Sequence, residues 1–425
     1  MTMPSNSAGP AAGSPDGHTS SMTTEITAPT HPLVADARAL MPDLVTIRRR
    51  IHRRPEIGLR LPATQGVIAG QLEKLGLTPR LGTSTSSVTA VIEGGRPGPT
   101  TLLRADMDAL PLQEDTGLDF ASEIDGAMHA CGHDTHVTML LGAARLLLDR
   151  RAELPGNVLL MFQPGEEGYH GARFMIDEGL LDAAPSRPTG AFAIHIGTRY
   201  ETGTFNLRPG PAMAGSDRLV ITVRGRGGHA SSPHLAVDPI LASAEIVVAL
   251  QAMVTRRIDA FDPAIVTIAH VKAGTTNNII PEEAYLEGTI RTFSEATRTQ
   301  VHAGIRRVAE GITRAHEASA EVEIEPGYPV TTNDPAYTAA VRTLAVGLVG
   351  EDLVRDMPAP IMGAEDFSYV LQQVPGAMVF LGARPAGLDP ATAPQNHSNV
   401  VVFDEEPMAL GVALYAAVAL AAGEG

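Results

Sequence analysis

The chain has 425 residues, and its 48 acidic against 32 basic residues give a formal net charge of −16. This charge disfavours nucleic acid and anionic membranes as partners, and the absence of tryptophan argues against base-stacking surfaces. A single cysteine excludes an internal disulfide framework and is typical of a reducing compartment, so we expect a cytoplasmic protein. No apolar run is long enough for a membrane span. Residues 1–30 are rich in Ser, Gly, Pro and Thr and are predicted to be a disordered tail.

Helices and strands alternate after this tail. Helices are predicted at residues 34–52 and 64–75, and strands at residues 88–93 and 100–107. The first helix ends in the basic run of residues 48–54, which fits either an anion-binding patch or a solvated helix end stopped by Pro55. We prefer the solvated helix end.

The second predicted strand runs into two carboxylates, Asp106 and Asp108. The carboxyl ends of buried strands are where open α/β sheets place their ligands. Asp108 could therefore orient a metal-ligating imidazole. A helix cap or a turn aspartate explains this motif alone equally well.

The only cysteine lies in the sequence Met-His-Ala-Cys-Gly-His-Asp-Thr-His. A thiolate beside imidazoles suits zinc or a related divalent transition metal. The spacing of Cys131 and His133 would place both side chains on one side of an extended segment. A helical apolar pattern begins at Thr135, and Thr135 or Asp134 is predicted to cap that helix. A buried free cysteine beside capping histidines is the alternative, but Cys131, His133 and His136 together favour a metal site.

Two further predicted strands end in metal-ligand residue types. Residues 157–163 form a continuous apolar run, typical of a central parallel strand, that leads directly to Glu166 and Glu167. Because neighbouring side chains of extended backbone point in opposite directions, one glutamate can bind metal while the other acts as a general base. A solvated acidic turn is the alternative. The strand at residues 191–196 carries His195 near its end, where a structural histidine is the usual interpretation.

A different pattern begins after residue 213. The order strand, helix, strand, strand, helix, strand is that of a ferredoxin-like unit, predicted to be a separate domain inserted at residues 214–329. Its elements are predicted at residues 217–224, 238–258, 264–271, 284–293, 294–318 and 320–325. A glycine-rich loop containing His229 follows the first of these strands. It suggests a phosphate cradle only weakly, because it lacks the lysine of a P-loop and a G-x-G-x-x-G pattern.

The first domain then resumes, so that it comprises residues 31–213 and 330–425. A helix, a core strand and a final helix are predicted at residues 337–348, 377–381 and 405–422. An acidic loop at residues 362–367 and a polar loop with His397 lie between them.

Together these motifs closely resemble those of the M20-type metallo-amidohydrolases, in particular the branch that contains aminoacylases, hippurate hydrolases and auxin-conjugate hydrolases. The resemblance covers the chain from about residue 31 onward, in the family's order. The matching stretches are residues 52–56, 104–111, 128–136, 163–168, 227–230, 363–367 and 397–398. The resemblance implies an α/β fold: a phosphorylase/hydrolase-like catalytic domain, with a mixed sheet flanked by helices, and the ferredoxin-like α+β insertion as a lid. That lid would carry the contact of a homodimer or homotetramer.

The resemblance also implies the site, with two divalent ions per subunit (zinc, manganese, cobalt or nickel) and one bridging ligand, for which Cys131 is preferred. Glu166 would be the general base toward a metal-activated water, and His229 would stabilise the oxyanion, within the chain or across the dimer. The implied metal ligands are Cys131, His133, Glu167, His195 and His397. The other implied site residues are Asp108 as a catalytic residue and Asn278, Arg291 and Gly363 as substrate contacts, with Arg291 gripping a substrate carboxylate.

The implied activity is hydrolysis of the amide bond of N-acyl amino acids, such as N-acetyl or N-benzoyl conjugates, to a carboxylic acid and a free amino acid. The Cys-x-His pair, in place of an aspartate-bridged site, favours this activity over that of a dipeptidase or another metallopeptidase of the same superfamily. A non-catalytic metal-binding homologue is a further alternative, but no base or ligand residue is missing. Residues 197–202 replace the proline-containing turns that the family often has after the position of His195, which leaves the acyl preference open.

Overall fold

The computed structural model describes residues 31–423, so the predicted tail at residues 1–30 lies outside the described residues. Within that range the α-helices are α1 (Pro32–His52), α2 (Pro62–Lys74), α3 (His133–Asp149), α4 (Gly171–Asp177), α5 (Pro239–Arg257), α6 (Glu295–Ala315), α7 (Pro335–Val349), α8 (Ser368–Leu371) and α9 (Met408–Leu420). The strands are β1 (Arg80–Leu81), β2 (Val88–Glu93), β3 (Arg96–Asp106), β4 (Pro155–Gln163), β5 (Pro188–Glu201), β6 (Phe205–Leu207), β7 (Gly210–Met213), β8 (Gly215–Arg224), β9 (Gly228–His229), β10 (Ala264–Ala273), β11 (Ile279–Ile280), β12 (Glu283–Thr292), β13 (Ser319–Pro326), β14 (Thr331–Asn333), β15 (Val354–Asp356) and β16 (Gly376–Arg384).

Eight strands form a mixed sheet in the order β1-β2-β4-β3-β5-β16-β6-β15, in which β4, β3, β5 and β16 run parallel. Alternate residues of these central strands enter two separate cores. On β4, Leu160 and Phe162 lie in the core formed with α1, α3 and α9, whereas Leu159 and Met161 lie in the core formed with α4 and α8. Burial on both faces explains why the sequence of this strand is continuously apolar.

The parallel arrangement brings the polar strand ends together at one edge of the sheet. β3 and β4 end side by side, with Asp106 opposite Gln163. β5 pairs with β3 only as far as Ala193, so His195 lies beyond the end of β3, where β5 pairs with β16 alone. The carboxyl edge of the sheet is therefore where the candidate site forms.

A second, four-stranded sheet is antiparallel throughout and has the order β10-β12-β8-β13, with α5 and α6 packed in its core. This connectivity is ferredoxin-like, and with the large mixed sheet it confirms the predicted fold class. Hereafter the four-stranded layer means β8, α5, β10, β12, α6 and β13. Residues 213–217 and 326–330, the two crossing segments, join it to β7 and β14, which pair with each other in a separate two-stranded sheet. Among the helices of residues 31–423, α5 alone has the length and apolar composition of a membrane span, but one face of it packs in the core of the layer.

Most predicted bounds differ from the observed ones by a few residues, but the predicted start of α3 is wrong. The helix begins at His133, and its N-cap is Gly132, whose φ is 87° and which offers no side chain. Thr135 is not the cap, because its hydroxyl donates to the carbonyl oxygen of Gly132. Asp134 is not the cap either, because its carboxylate contacts residues of α1.

The predicted solvated end of α1 is confirmed for Arg50 and Arg54, which are exposed, but is wrong for Arg48. Arg48 is 1% exposed, and its guanidinium lies 2.7 Å from Asp134 and 3.1 Å from Glu405. His52 is buried as well, with Nδ1 at 2.8 Å from the same Asp134 carboxylate. The last turn of α1 is therefore tied to the first turn of α3, next to the candidate metal ligands.

Candidate functional site

Cys131 lies in a turn rather than in the predicted extended segment. Gly132, the next residue, has a left-handed backbone, and a Cβ there would lie 2.4 Å from Ile196 Cγ2. Only glycine combines this backbone with this close approach. The turn places Cys131 Sγ 3.4 Å from His195 Nε2. Cys131 and His133 are thus brought together by a tight turn into a helix.

His133 is fully buried and presents one free nitrogen to the site. Its Nδ1–H donates to the main-chain oxygen of Asp108 at 2.9 Å, which fixes the tautomer and leaves the lone pair of Nε2 available. That Nε2 has no hydrogen-bond partner within residues 31–423 and lies 4.0 Å from Glu167 Oε1. A buried imidazole nitrogen without a partner is what a metal ligand requires.

The other two predicted histidine ligands are held by the main chain. His195 Nδ1–H donates to the carbonyl oxygen of Ile196 at 2.7 Å, so its Nε2 faces Cys131. The amide of His397 donates to the carbonyl oxygen of Ala130 at 2.9 Å, and its Nε2 lies 3.2 Å from Glu167 Oε1. The polar loop near the C-terminus is thereby attached to the cysteine turn.

The predicted ligands form two groups that share Cys131. One group is Cys131, His133 and His195, and the other is Cys131, Glu167 and His397. Within each group the ligand atoms lie within 4.8 Å of one another. The donor atoms are one sulfur, imidazole nitrogens and a carboxylate oxygen, a set that suits zinc and related divalent ions. His133 Nε2 is buried and lacks a hydrogen-bond partner within the described residues. The residues present therefore fit a pair of divalent ions.

His136, which the sequence pattern grouped with Cys131 and His133, lies in a further group with Asp106 and His133 whose ligand atoms are within 4.8 Å of one another, but its ring is engaged in hydrogen bonds. Its Nδ1 lies 2.5 Å from Asp106 Oδ1, and its Nε2 accepts the backbone N–H of Ile196 at 2.8 Å. Both ring nitrogens are therefore occupied. His136 connects α3 to β3 and β5 beneath the site.

Asp108 fixes the pair of glutamates through their backbone. Its Oδ1 accepts the amide of Glu166 at 3.0 Å and its Oδ2 accepts the amide of Glu167 at 3.1 Å. Asp108 also contacts the imidazole of His133, as predicted: its main-chain oxygen lies 2.9 Å and its Oδ1 3.5 Å from His133 Nδ1. Burial raises the pKa of Glu166 well above its usual value, and the nearby carboxylates of Glu365 and Glu167 raise it further.

A buried charge network beneath the glutamates was not predicted. The guanidinium of Arg104 lies 2.7 Å from both Asp106 and Glu365 and 3.3 Å from Asp366, and it donates to Gln163 at 2.9 Å. Burial alone would lower the pKa of Arg104, but these carboxylates raise it above its usual value. The sequence signal for this network was the acidic loop of residues 362–367. Its spacing from β3 along the chain did not show that it pairs with Arg104.

One cavity of about 530 Å³ contains most of the predicted site residues. Those that line it are Cys131, Glu166, Glu167, His195, Arg291, Gly363 and His397. Tyr200 and Phe380 add an apolar wall, with ring centroids 5.9 Å apart. Arg291, from β12, is half-buried, and no side chain of residues 31–423 forms an ion pair or hydrogen bond with it. An unpaired guanidinium in a cavity is suited to bind an anionic group.

Two predicted residues lie elsewhere. His229 lies in β9 and Asn278 directly precedes β11, and these two strands form a ribbon that the sequence did not predict. Both side chains are exposed, and neither lines the cavity of its own chain. His229 Nδ1 lies 2.7 Å from the hydroxyl of Ser231.

Known proteins are similar to this chain in both sequence and fold. Residues 102–421 match the profile of peptidase family M20/M25/M40. Thermostable carboxypeptidase 1 of Saccharolobus solfataricus is 39% identical over 391 residues, which cover 91% of this chain and 96% of that protein. The N-acetylcysteine deacetylase of Bacillus subtilis is 38% identical over 381 residues, covering 89% and 96%. The structure of Bacillus subtilis YXEP, described as a dinuclear metal binding peptidase from the M20 family, has a TM-score of 0.78 and 34% identity, with coverage of 90% and 98%.

The matched region includes the large sheet from within β3 onward, the four-stranded layer and the candidate metal ligands from Cys131 to His397. The site holds a donor set for divalent ions, a buried glutamate and a cavity that opens to a free guanidinium. The chain therefore belongs to peptidase family M20/M25/M40 and is a metal-dependent hydrolase of amide or peptide bonds.

Proposed function

We propose that this enzyme hydrolyses the amide bond of N-acyl amino acids and releases a carboxylic acid and a free amino acid. The observation that carries the proposal is the position of Arg291, whose unpaired guanidinium lines the same cavity as Glu166 and the metal-ligand groups. A guanidinium there can hold the α-carboxylate of the substrate bidentately while the amide lies at the ligand groups. The similarity to an N-acetylcysteine deacetylase supports the same class of substrate.

Two divalent ions, held by the groups that share Cys131, would lower the pKa of a water molecule and polarise the amide carbonyl. Zinc, manganese, cobalt and nickel all accept this donor set. The residues of the chain perform the remaining steps. Glu166 takes the proton of the attacking water and passes it to the leaving amine, for which the raised pKa of its buried carboxyl is suited. Asp108 keeps the glutamate backbone in place through two amide hydrogen bonds.

We further propose that residues 214–329 act as a lid and carry the contact of a homodimer or homotetramer. His229 and Asn278 are exposed and lie outside the cavity of their own chain, which supports oxyanion stabilisation in the cavity of a partner subunit. The layer also exposes apolar side chains on α5, including Leu241 and Val248. An apolar helix face of this kind suits a subunit contact. We place the enzyme in the cytoplasm, where its single thiol stays reduced.

A carboxypeptidase or dipeptidase is the second candidate, favoured by the 39% identity to a thermostable carboxypeptidase. Such a substrate also has a carboxylate for Arg291, so the guanidinium does not separate the two activities. The discriminating feature is the group on the other side of the scissile bond, an acyl chain in one case and an amino-acyl residue in the other.

The proposal is tested by measuring kcat/KM for N-acetyl and N-benzoyl amino acids beside free dipeptides, with each of the four metals. N-acyl amino acids are expected to be the better substrates. Glu166→Gln should abolish turnover while metal content stays unchanged, because Glu167 and not Glu166 is the proposed ligand. A preference for dipeptides would favour the second candidate, and a Glu166→Gln variant with near wild-type kcat at full metal content would remove the proposed base.

A further inference from the structure

Tyr328 lies in the second crossing segment and reaches the backbone of the proposed general base. Its side chain is 6% exposed and lines the catalytic cavity. The hydroxyl donates to the main-chain oxygen of Glu166 at 2.6 Å. The same hydroxyl accepts the amide N–H of His170 at 3.3 Å. Tyr328 thus holds the turn that carries the two glutamates at two points.

The backbone of Tyr328 is attached to the four-stranded layer. Its carbonyl oxygen accepts the amide of Ser216, in the first crossing segment, at 2.9 Å. The preceding residue, Gly327, donates its amide to Asp217 Oδ1 at 3.1 Å, and Asp217 is in turn bound by Arg298 of α6. A change in the position of the layer relative to the large sheet would therefore move Tyr328.

The peptide of Glu166 is consequently held from two sides. Its amide is bound by Asp108, which follows β3 of the large sheet, and its carbonyl is bound by Tyr328 of the crossing segment. The turn itself is built for tight placement, since Gly165 and Gly168 both have left-handed backbones. The direction of the Glu166 carboxylate depends on both anchors.

We propose that Tyr328 is a positioning residue that couples the placement of the Glu166 carboxylate to the position of the four-stranded layer. The inference rests on the proposed role of Glu166 as general base. Closure of the layer over a substrate, gripped through Arg291 of β12, would then set the base in its working position. A misplaced catalytic group costs up to about 100-fold in rate for about 1 Å of displacement.

Tyr328→Phe removes the hydroxyl and keeps the buried ring. Tyr369→Phe is the matched control, because the Tyr369 hydroxyl lies 2.9 Å from His170 Nδ1 and 3.3 Å from the Gly327 oxygen, in the same cluster, but does not touch Glu166. We expect kcat to fall about tenfold or more in Tyr328→Phe, with KM within about twofold and metal content unchanged. The Tyr369→Phe variant should keep its kcat within about twofold. Equal losses of kcat in both variants, or none in Tyr328→Phe, would overturn the proposal.

The coupling to the layer is tested in a second background, Arg291→Lys, in which the grip of β12 on the substrate is weakened. Tyr328→Phe should lower kcat by a smaller factor there than in the wild-type background. The same factor in both backgrounds would show that Tyr328 acts on Glu166 without the layer, and would overturn the coupling. The Glu166→Gln experiment tests the role of Glu166 as general base on its own. A failure of the Tyr328 hypothesis can therefore be told apart from a failure of the proposed function.

Discussion

Asp217, the buried carboxylate that ties β8 to α6 and to the second crossing segment, makes a pH-dependent contribution to stability. Its Oδ2 lies 3.0 Å from Arg298 Nε and 2.6 Å from His302 Nε2, and its Oδ1 accepts the amide of Gly327 at 3.1 Å. Burial opposes the shift, but hydrogen bonds from His302 and Arg298 lower the pKa of Asp217 to about 2 from an ordinary value of 3.8. The side chain is 1% exposed, so solvent screens these contacts little.

The lowered pKa sets both the size and the sign of the effect. Each pKa unit is worth about 1.4 kcal/mol, so the shift corresponds to about 2 kcal/mol of folding free energy. Because the pKa is lower in the folded state, this contribution is complete above the unfolded pKa and is lost as the pH falls through the folded pKa. It should be about 2 kcal/mol at neutral pH and about half of that near pH 3.

The substitution is Asp217→Asn, and the assay is urea-induced unfolding at several pH values between neutral and about pH 3. Glu295→Gln is the matched control, because Glu295 also pairs with Arg298, at 3.2 Å, but is 56% exposed. An exposed pair of this kind contributes less than about 1 kcal/mol. Asp217→Asn should destabilise the protein most at neutral pH and progressively less toward acid. A loss that is independent of pH, or no larger than that of Glu295→Gln, would show that the Asp217 carboxylate does not make this pH-dependent contribution.

Two further predictions concern substrate binding and the subunit contact. Arg291→Ala should weaken the preference for N-acyl amino acids over their amides, because the guanidinium is the proposed partner of the α-carboxylate; an unchanged ratio of kcat/KM values would show that the role is wrong. His229→Ala should lower kcat by about 100-fold or more while fold and metal content are kept, since removing one oxyanion donor has an effect of this size in comparable sites. Mixing His229→Ala with Glu166→Gln subunits should restore some activity if donation crosses the dimer, whereas no recovery after verified subunit exchange would place the donor within one chain.

The parts of the fold that sequence reasoning could predict are those in which a local pattern has one physical explanation. A continuously apolar run such as that of β4 fits a strand buried on both faces, and its length separates it from a helix. The order of strands and helices in the four-stranded layer could be predicted for the same reason, because each of its elements has a local pattern of its own. The cysteine, histidine and glutamate residues at successive strand ends pointed to one edge of one sheet, and the structure brings them to one cavity.

Other features depend on partners that are distant in the sequence. His133 and His136 lie on the same helix turn, and only the structure shows that Asp106 and the amide of Ile196 occupy His136. Arg48 was expected in solvent, but its partner Glu405 is 357 positions away. Tyr328 belongs to no motif, and its contact with Glu166 spans 162 positions. Spacing along the chain contains no information on such pairs.

We propose that Cys131 is shared by two groups of metal ligands, and the reaction rate of its thiol reports on this sharing. A thiolate bound to divalent ions has its lone pairs committed to metal and reacts slowly. Cys131 is the only cysteine, so labelling with a thiol reagent reports this residue alone. Labelling should be slow in the metal-loaded protein and fast after chelation, with an unchanged circular dichroism spectrum, and the labelled protein should no longer take up metal. Equal labelling rates in the metal-loaded and the metal-free folded protein would remove Cys131 from both ligand groups.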